Sequence, residues 1–154
     1  MNTATRLKLA LTTAFVIGST LHAQPAERPK AEAMVREGIA YLKANGKEAF
    51  VAEVQQASGR FHVKPGGTLY LMVYDMKGIT IAHGMTPAAA GTNRWGVKDP
   101  DGKMIVQELI KAGQVKGGSW TDYKWPNPTN GKVEAKTTFC LAEGGLVVGC
   151  GIYK

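Results

Sequence analysis

Cysteine and histidine are scarce in this chain of 154 residues, which holds two of the first and three of the second. Cys140 and Cys150 with the isolated His62 and His83 do not make a zinc-ligand set. No C-x-x-C, H-E-x-x-H or G-x-S-x-G occurs, and no serine, cysteine or acid stands at a motif spacing from His83. The chain therefore reads as a non-enzyme that needs no cofactor and no metal. Runs of like charge are also missing. The formal net charge of +7 is spread along the chain with no basic helix, which argues against a nucleic-acid partner. After the first segment, no apolar run reaches the roughly 18 residues of a membrane span.

The first segment differs. Arg6 and Lys8 precede the apolar run Leu9–Leu21, too short to span a bilayer comfortably, and Ala23 follows as a small residue for cleavage. Residues 1–23 thus read as a secretory signal peptide, and the protein as periplasmic or secreted. The alternative is an uncleaved membrane anchor. No cysteine follows the apolar run, so a lipid anchor is not expected. Cleavage removes Arg6 and Lys8 and no acid, which lowers the net charge from +7 to +5.

Residues 24–30 form a polar, proline-bearing leader. From Ala31 the apolar residues take a helical period, Asn45-Gly46 supplies a stop, and Lys47–Ala57 restarts a shorter helix. The period then changes to two. Leu69–Asp75 and Ile79–His83 predict a hairpin, Met104–Gln114 a helix, and Trp120–Trp125, Lys132–Leu141 and Leu146–Tyr153 three more strands. Five antiparallel strands with segregated helices make an α+β domain over residues 31–154.

Strand parity sorts side chains onto two faces. With Met76-Lys77 as the first turn, Tyr74 faces Ile79, Met72 faces Ile81 and Tyr70 faces His83; Leu69, Leu71, Val73, Thr80 and Ala82 point the other way as plain core. Across the PNPTNG turn, Trp125 opposes Lys132, Tyr123 opposes Glu134 and Thr121 opposes Lys136, so Trp125, Tyr123 and Lys136 share a face. Leu141 opposite Leu146 then puts Lys136 beside Gly151 and Thr138 beside Gly149. One face is aliphatic; the other gathers tyrosine, tryptophan, histidine, lysine and glycine, the makeup of a small polar pocket. There Lys136 is either solvated, held by Glu134, or a point charge for an anion.

The same register puts Cys140 and Cys150 on opposite faces, while an oxidising compartment favours a disulfide between them, so bonded and free both stay open. Asp99–Lys103 (DPDGK) suggests a calcium loop but offers only two aspartates before its glycine, with Ile110 where the loop's glutamate belongs, and reads as a turn at a helix start. Trp95, in the irregular stretch TNRWG, is either a lid over the pocket or the anchor of its own loop.

Three motifs in order, D-x-x-G-x-x-x-A-H-G from Asp75 to Gly84, W-x-x-Y-x-W from Trp120 to Trp125 and G-x-G-I-Y from Gly149 to Tyr153, resemble single Cache domains of the second type, with the likeness running from about Ala31 to Lys154. The resemblance implies a PAS-like sheet with a long N-terminal helix on one face and a ligand pocket on the other. It also implies an extracytoplasmic sensor of small carboxylates such as acetate, propionate, lactate or pyruvate, with Lys136 and Tyr123 in the ligand region. The expected site is then Lys136 for charge, Tyr123 and Tyr70 for hydroxyls, His83 as a second polar contact, and Trp125 and Trp95 as wall and lid. The expected output is presentation of the ligand to a membrane-bound sensor or transporter. The rival reading is a ligand-free interaction subunit that docks on such a partner.

Overall fold

The computed structural model describes residues 24–154. The signal-peptide assignment to residues 1–23 lies outside them. Helix α1 (Gln24–Gln55) is followed by β1 (Met72–Asp75), β2 (Thr80–His83), a single 3-10 turn (Pro87–Ala89), α2 (Ile105–Gln114), β3 (Ser119–Pro126), β4 (Val133–Glu143) and β5 (Leu146–Tyr153). The strands form one antiparallel sheet in the order β2-β1-β5-β4-β3. This is the expected α+β, PAS-like architecture. No helix among the described residues is long and apolar enough to cross a membrane.

Residues 24–30, expected as a leader outside the fold, are instead the first turns of α1. Pro29 lies inside the helix, in its second turn, where it removes one internal hydrogen bond. The stop expected at Gly46 is a kink: its φ of 81° and ψ of 169° leave the helical region, and the helix resumes beyond it.

The two faces of the sheet are occupied as parity predicts except in β2, where Ile81, expected beside Met72, packs on the α1 side, and Thr80, expected in the plain core, pairs with Tyr74. On one, Leu71, Val73, Val148, Cys150 and Ile152 pack against Val35, Phe50 and Val54 of α1 and against Phe61. On the other, Tyr70, Met72, Tyr74, Tyr123 and Cys140 meet Ile105, Val106, Leu109 and Ile110, the buried stripe of α2.

The pairings differ from expectation by whole steps of two where the turns are misjudged. Tyr123 pairs with Lys136 and Trp125 with Glu134; Lys136 pairs with Tyr153 and Thr138 with Gly151. The last turn is the two-residue Gly144-Gly145, at φ 56° and 77°, a conformation in which glycine meets no Cβ penalty. In the first hairpin, Gly78 adopts φ 79° and adds a residue to the turn. A second slip between Val73 and Tyr74 gives the pairs Tyr74–Thr80 and Met72–His83. Two one-residue slips make one step of two, so His83 remains on the tyrosine face.

Candidate functional site

β2 is an edge strand, and the loop that follows it covers that edge. Thr80 donates its N–H to the Thr92 carbonyl at 2.9 Å, Gly91 to Thr80 at 2.8 Å and Arg94 to Gly78 at 2.8 Å. This loop, α2 and the tyrosine face of the sheet enclose a cavity of about 130 Å³. The sheet contributes Tyr70, Met72, Tyr74, Tyr123, Trp125 and Lys136; β2 and the loop contribute His83, Met85, Thr86, Ala89, Arg94 and Val97; α2 closes it with Ile105, Val106 and Leu109. The volume is well below the ~300 Å³ at which sites for drug-sized ligands begin.

Lys136 dominates the electrostatics. It is 1% exposed. Its Nζ donates to the Tyr70 hydroxyl at 3.2 Å and to the Tyr153 hydroxyl at 3.4 Å, and lies over both rings, 5.1 and 4.7 Å from their centroids. Among the described residues it has no ion pair: Glu134, the acid that parity placed nearby, accepts from Asn127 and Asn130 Nδ2 at 2.7 Å each. Burial pulls the Lys136 ammonium down to about 8, because charge is disfavoured away from water. Room for its stem comes from Gly151, where a Cβ would sit 2.4 Å from Lys136 Cε and 2.5 Å from Thr138 Oγ1. The space expected opposite the glycines is therefore filled at Gly151 by the lysine chain itself.

His83 is oriented by the backbone. Its Nδ1 accepts the N–H of Met85 at 3.3 Å and of Thr86 at 3.0 Å, and its ring lies 5.0 Å from that of Tyr70. An acceptor at Nδ1 assigns the proton of the neutral ring to Nε2. Burial, then the charges of Lys136 and Arg94, push its pKa down to about 4, so it is neutral at ordinary pH. The Tyr123 hydroxyl is 2.9 Å from Thr138 Oγ1. Burial raises the phenols of Tyr123 and Tyr70 well above their usual range, and burial holds Tyr74 at about 12. The lining thus holds two cations, Lys136 and Arg94, neutral phenols and imidazole, and no acid. Such a wall is electrostatically suited to an anion rather than a cation.

Five of the six residues expected from the sequence, Lys136, Tyr123, Trp125, His83 and Tyr70, line this cavity. Trp95 does not. It is 43% exposed and packs on Gly78, where an added Cβ would come within 3.1 Å of it, so it anchors the loop to the hairpin turn. Its neighbour Arg94 reaches the cavity instead, a residue that strand parity had no means to place. Cys140 and Cys150 are both free. Cys140 pairs with Gly149 and Phe139 with Cys150, so the two thiols sit on opposite faces of neighbouring strands and cannot be joined. Asp99 is buried, and its carboxylate accepts backbone N–H groups from Asp101, Lys103 and Lys124 at 3.0, 2.9 and 3.1 Å. Desolvation pushes its pKa up, but these bonds outweigh it and hold the group below the usual carboxylate range. Its oxygens tie the loop before α2 to β3.

Sheet order, cavity and cationic lining define a small-molecule sensory domain of PAS-like fold. The profile of the family single Cache domain 2 matches residues 35–154, and the chain belongs to that family. Domains of this family are extracytoplasmic sensor modules. The chain is 33% identical over 115 residues to the sensor histidine kinase MctS of Rhizobium johnstonii, a stretch covering 73% of this chain and 24% of that protein. It is 24% identical over 86 residues to the methyl-accepting chemotaxis protein McpP of Pseudomonas putida, covering 54% of this chain and 16% of that one. The likeness is thus to a minor part of each relative. Among solved structures, a methyl-accepting chemotaxis protein from Vibrio parahaemolyticus superposes with a TM-score of 0.68 at 25% identity, over 83% of this chain and 88% of that one. A Cache chemosensory domain described for carboxylic acid recognition superposes with a TM-score of 0.60 at 20% identity, over 83% and 88% of the two chains, and so shares the fold.

Proposed function

We propose that this domain is an extracytoplasmic receptor for a short monocarboxylate, with acetate, propionate, lactate and pyruvate as the candidates. The observation that carries the reading is Lys136, a buried ammonium without an ion pair among the described residues, in a cavity lined by no acid. A buried charge without a counter-charge is costly, and a ligand carboxylate supplies the counter-charge. Tyr70, already bonded to the lysine, and Tyr123 flank the place where that carboxylate would sit. The relatives named as a sensor kinase and a chemoreceptor support a signalling setting, with the loaded domain acting on a membrane-bound sensor or transporter. The rival reading, a docking subunit without a ligand, gives no reason for a cavity beside a buried lysine.

Calorimetric titration with the four acids tests the proposal. The wild-type protein binds at least one of them, and Lys136→Met weakens that binding by about tenfold to a hundredfold, the worth of a hydrogen bond to a charged group. Equal affinity in the two proteins, or no binding of any of the acids to the wild type, sinks it. Export with cleavage after Ala23 belongs to the same proposal; mass spectrometry of the protein from its native host then finds a chain beginning at Gln24, and one still beginning at Met1 contradicts it.

A further inference from the structure

Two phenols hold the Lys136 ammonium, and they stand differently. Tyr70 lines the cavity. Tyr153 does not; it pairs with Lys136 across β4 and β5, is half-buried, and meets Nζ with its oxygen at 3.4 Å and its ring centroid at 4.7 Å. The Tyr153 O–H donates to the Pro126 carbonyl at 2.8 Å. A phenol has one proton, so a hydroxyl committed to Pro126 turns only lone pairs toward the lysine. Such an oxygen suits a charged donor. The Pro126 carbonyl is itself held in place: Pro126 ends β3 opposite Val133, and the Asn127 N–H closes the hairpin on the Lys132 carbonyl at 2.7 Å. Burial, then the charge of Glu134, raises the pKa of Tyr153 to about 12, so the phenol keeps its proton while the lysine titrates.

The other titratable groups around Lys136 bring it no counter-charge. Burial raises Tyr70, and Cys150 on the α1 face of β5, so both are neutral; His83 across the cavity is neutral, and Arg94 is a second cation. The acceptor at Tyr153 therefore matters more than it would beside an acid.

We infer that Tyr153 is a positioning residue of the site: its hydroxyl, oriented by the Pro126 carbonyl, holds the Lys136 ammonium against the cavity, so that the end of the β3–β4 hairpin belongs to the binding machinery although neither Tyr153 nor Pro126 lines the cavity. For acid binding this rests on the monocarboxylate reading above; for the state of the lysine it does not.

NMR of the Lys136 Cε–Nζ group in the ligand-free protein provides the first test. Tyr153→Phe keeps the ring beside the ammonium and removes the oxygen. The titration midpoint of Lys136 then falls from about 8 to about 7, because an ammonium that loses an acceptor gives up its proton more readily. Ile152→Val, one residue away on the α1 face, is the control: it loosens the core and leaves the midpoint in place. A midpoint in Tyr153→Phe equal to that of the wild type, or a matching fall in Ile152→Val, overturns the inference and leaves the carboxylate reading standing. Calorimetry with acetate, propionate, lactate and pyruvate follows. Binding fades as the lysine loses its charge, and in Tyr153→Phe this alkaline limb moves down by the same interval; a limb that stays in place overturns the inference. Silence of all four acids removes the monocarboxylate reading, and the NMR midpoint still judges Tyr153. Should Tyr153→Phe fail to fold, the wild type decides: the Tyr153 ring carbon that bears the hydroxyl shifts with the midpoint of Lys136, and a signal blind to that titration counts against the inference.

Discussion

On the α1 side of the sheet, Leu71, Val73, Val148 and Ile152 are closed off by Phe50, Val54 and Phe61, and the packing is aliphatic and aromatic. On the α2 side, the alternate residues of the same strands, Tyr70, Met72, Tyr123 and Lys136, leave a cavity of about 130 Å³ and bury a cation. Neighbouring residues of one strand thus serve opposite ends. Leu71 holds the fold together while Tyr70 accepts from the lysine; Ile152 packs beneath α1 while Gly151 makes room for the lysine stem. Because side chains alternate with period two, a strand can be tuned on one face without reworking the other. Stability and binding should therefore be separable by substitutions one residue apart.

The largest effect is expected on the α1 side. Phe50 is fully buried and meets Phe61 edge-on at 6.0 Å. Phe50→Ala should cost about 3–5 kcal/mol in denaturant unfolding. Below the transition, the folded fraction should titrate with its acid at unchanged affinity. A large affinity change in the folded protein would mean that the faces are coupled.

Lys136 comes next, with the opposite sign for the empty protein. Its folded pKa of about 8 lies below the ordinary 10.5, so between those values the unfolded chain binds more protons and stability rises with pH. Below about 8 the penalty is present in full. Lys136→Met should then raise the stability of the ligand-free protein by up to roughly 3 kcal/mol near neutral pH and abolish its rise between pH 8 and 10.5. A variant less stable than the wild type in the absence of ligand would show that the lysine is structural.

The smallest change is a methyl group on each face. Gly38→Ala on α1 places a Cβ 2.5 Å from Leu71 Cδ1, and Gly151→Ala places one 2.4 Å from Lys136 Cε. Each should cost about 1–3 kcal/mol in unfolding experiments. Only the second should also weaken acid binding, because it displaces the lysine stem. Equal binding losses in the two variants would blur the comparison.

Period two is also why so much of the site was legible before the structure. The expected partner of Lys136 was Thr121 on one side and Gly151 on the other; the observed partners are Tyr123 and Tyr153. Both errors are steps of two, caused by turns misjudged at PNPTNG and Gly144-Gly145, and a step of two preserves the face. His83 kept its face only because an extra turn residue at Gly78 was offset by the slip between Val73 and Tyr74. Residues off the strands had no such protection. Arg94 and Trp95 are neighbours in a loop of no regular period, held by backbone bonds to β2 and the Gly78 turn, and tryptophan was chosen where arginine lines the cavity. The stripe of Ile105, Val106 and Leu109 was visible as a helix, but nothing in its period says which face of a sheet it covers.

β5 is the last strand in sequence and the middle one in space, lying between β1 and β4. The hairpins β1–β2 and β3–β4 can each form from residues close together in the chain, but neither has an edge to share with the other until Leu146–Tyr153 arrives. The bond from Lys136 to Tyr70, 66 residues apart, spans that seam. A chain emerging from its first residue onward therefore carries no cavity, and no buried cation, until the final strand slots in. Assembly depends on contacts of long sequence separation, whose loop-closure entropy must be met before they form. It also means that no chain lacking β5 can bring Lys136 and Tyr70 together.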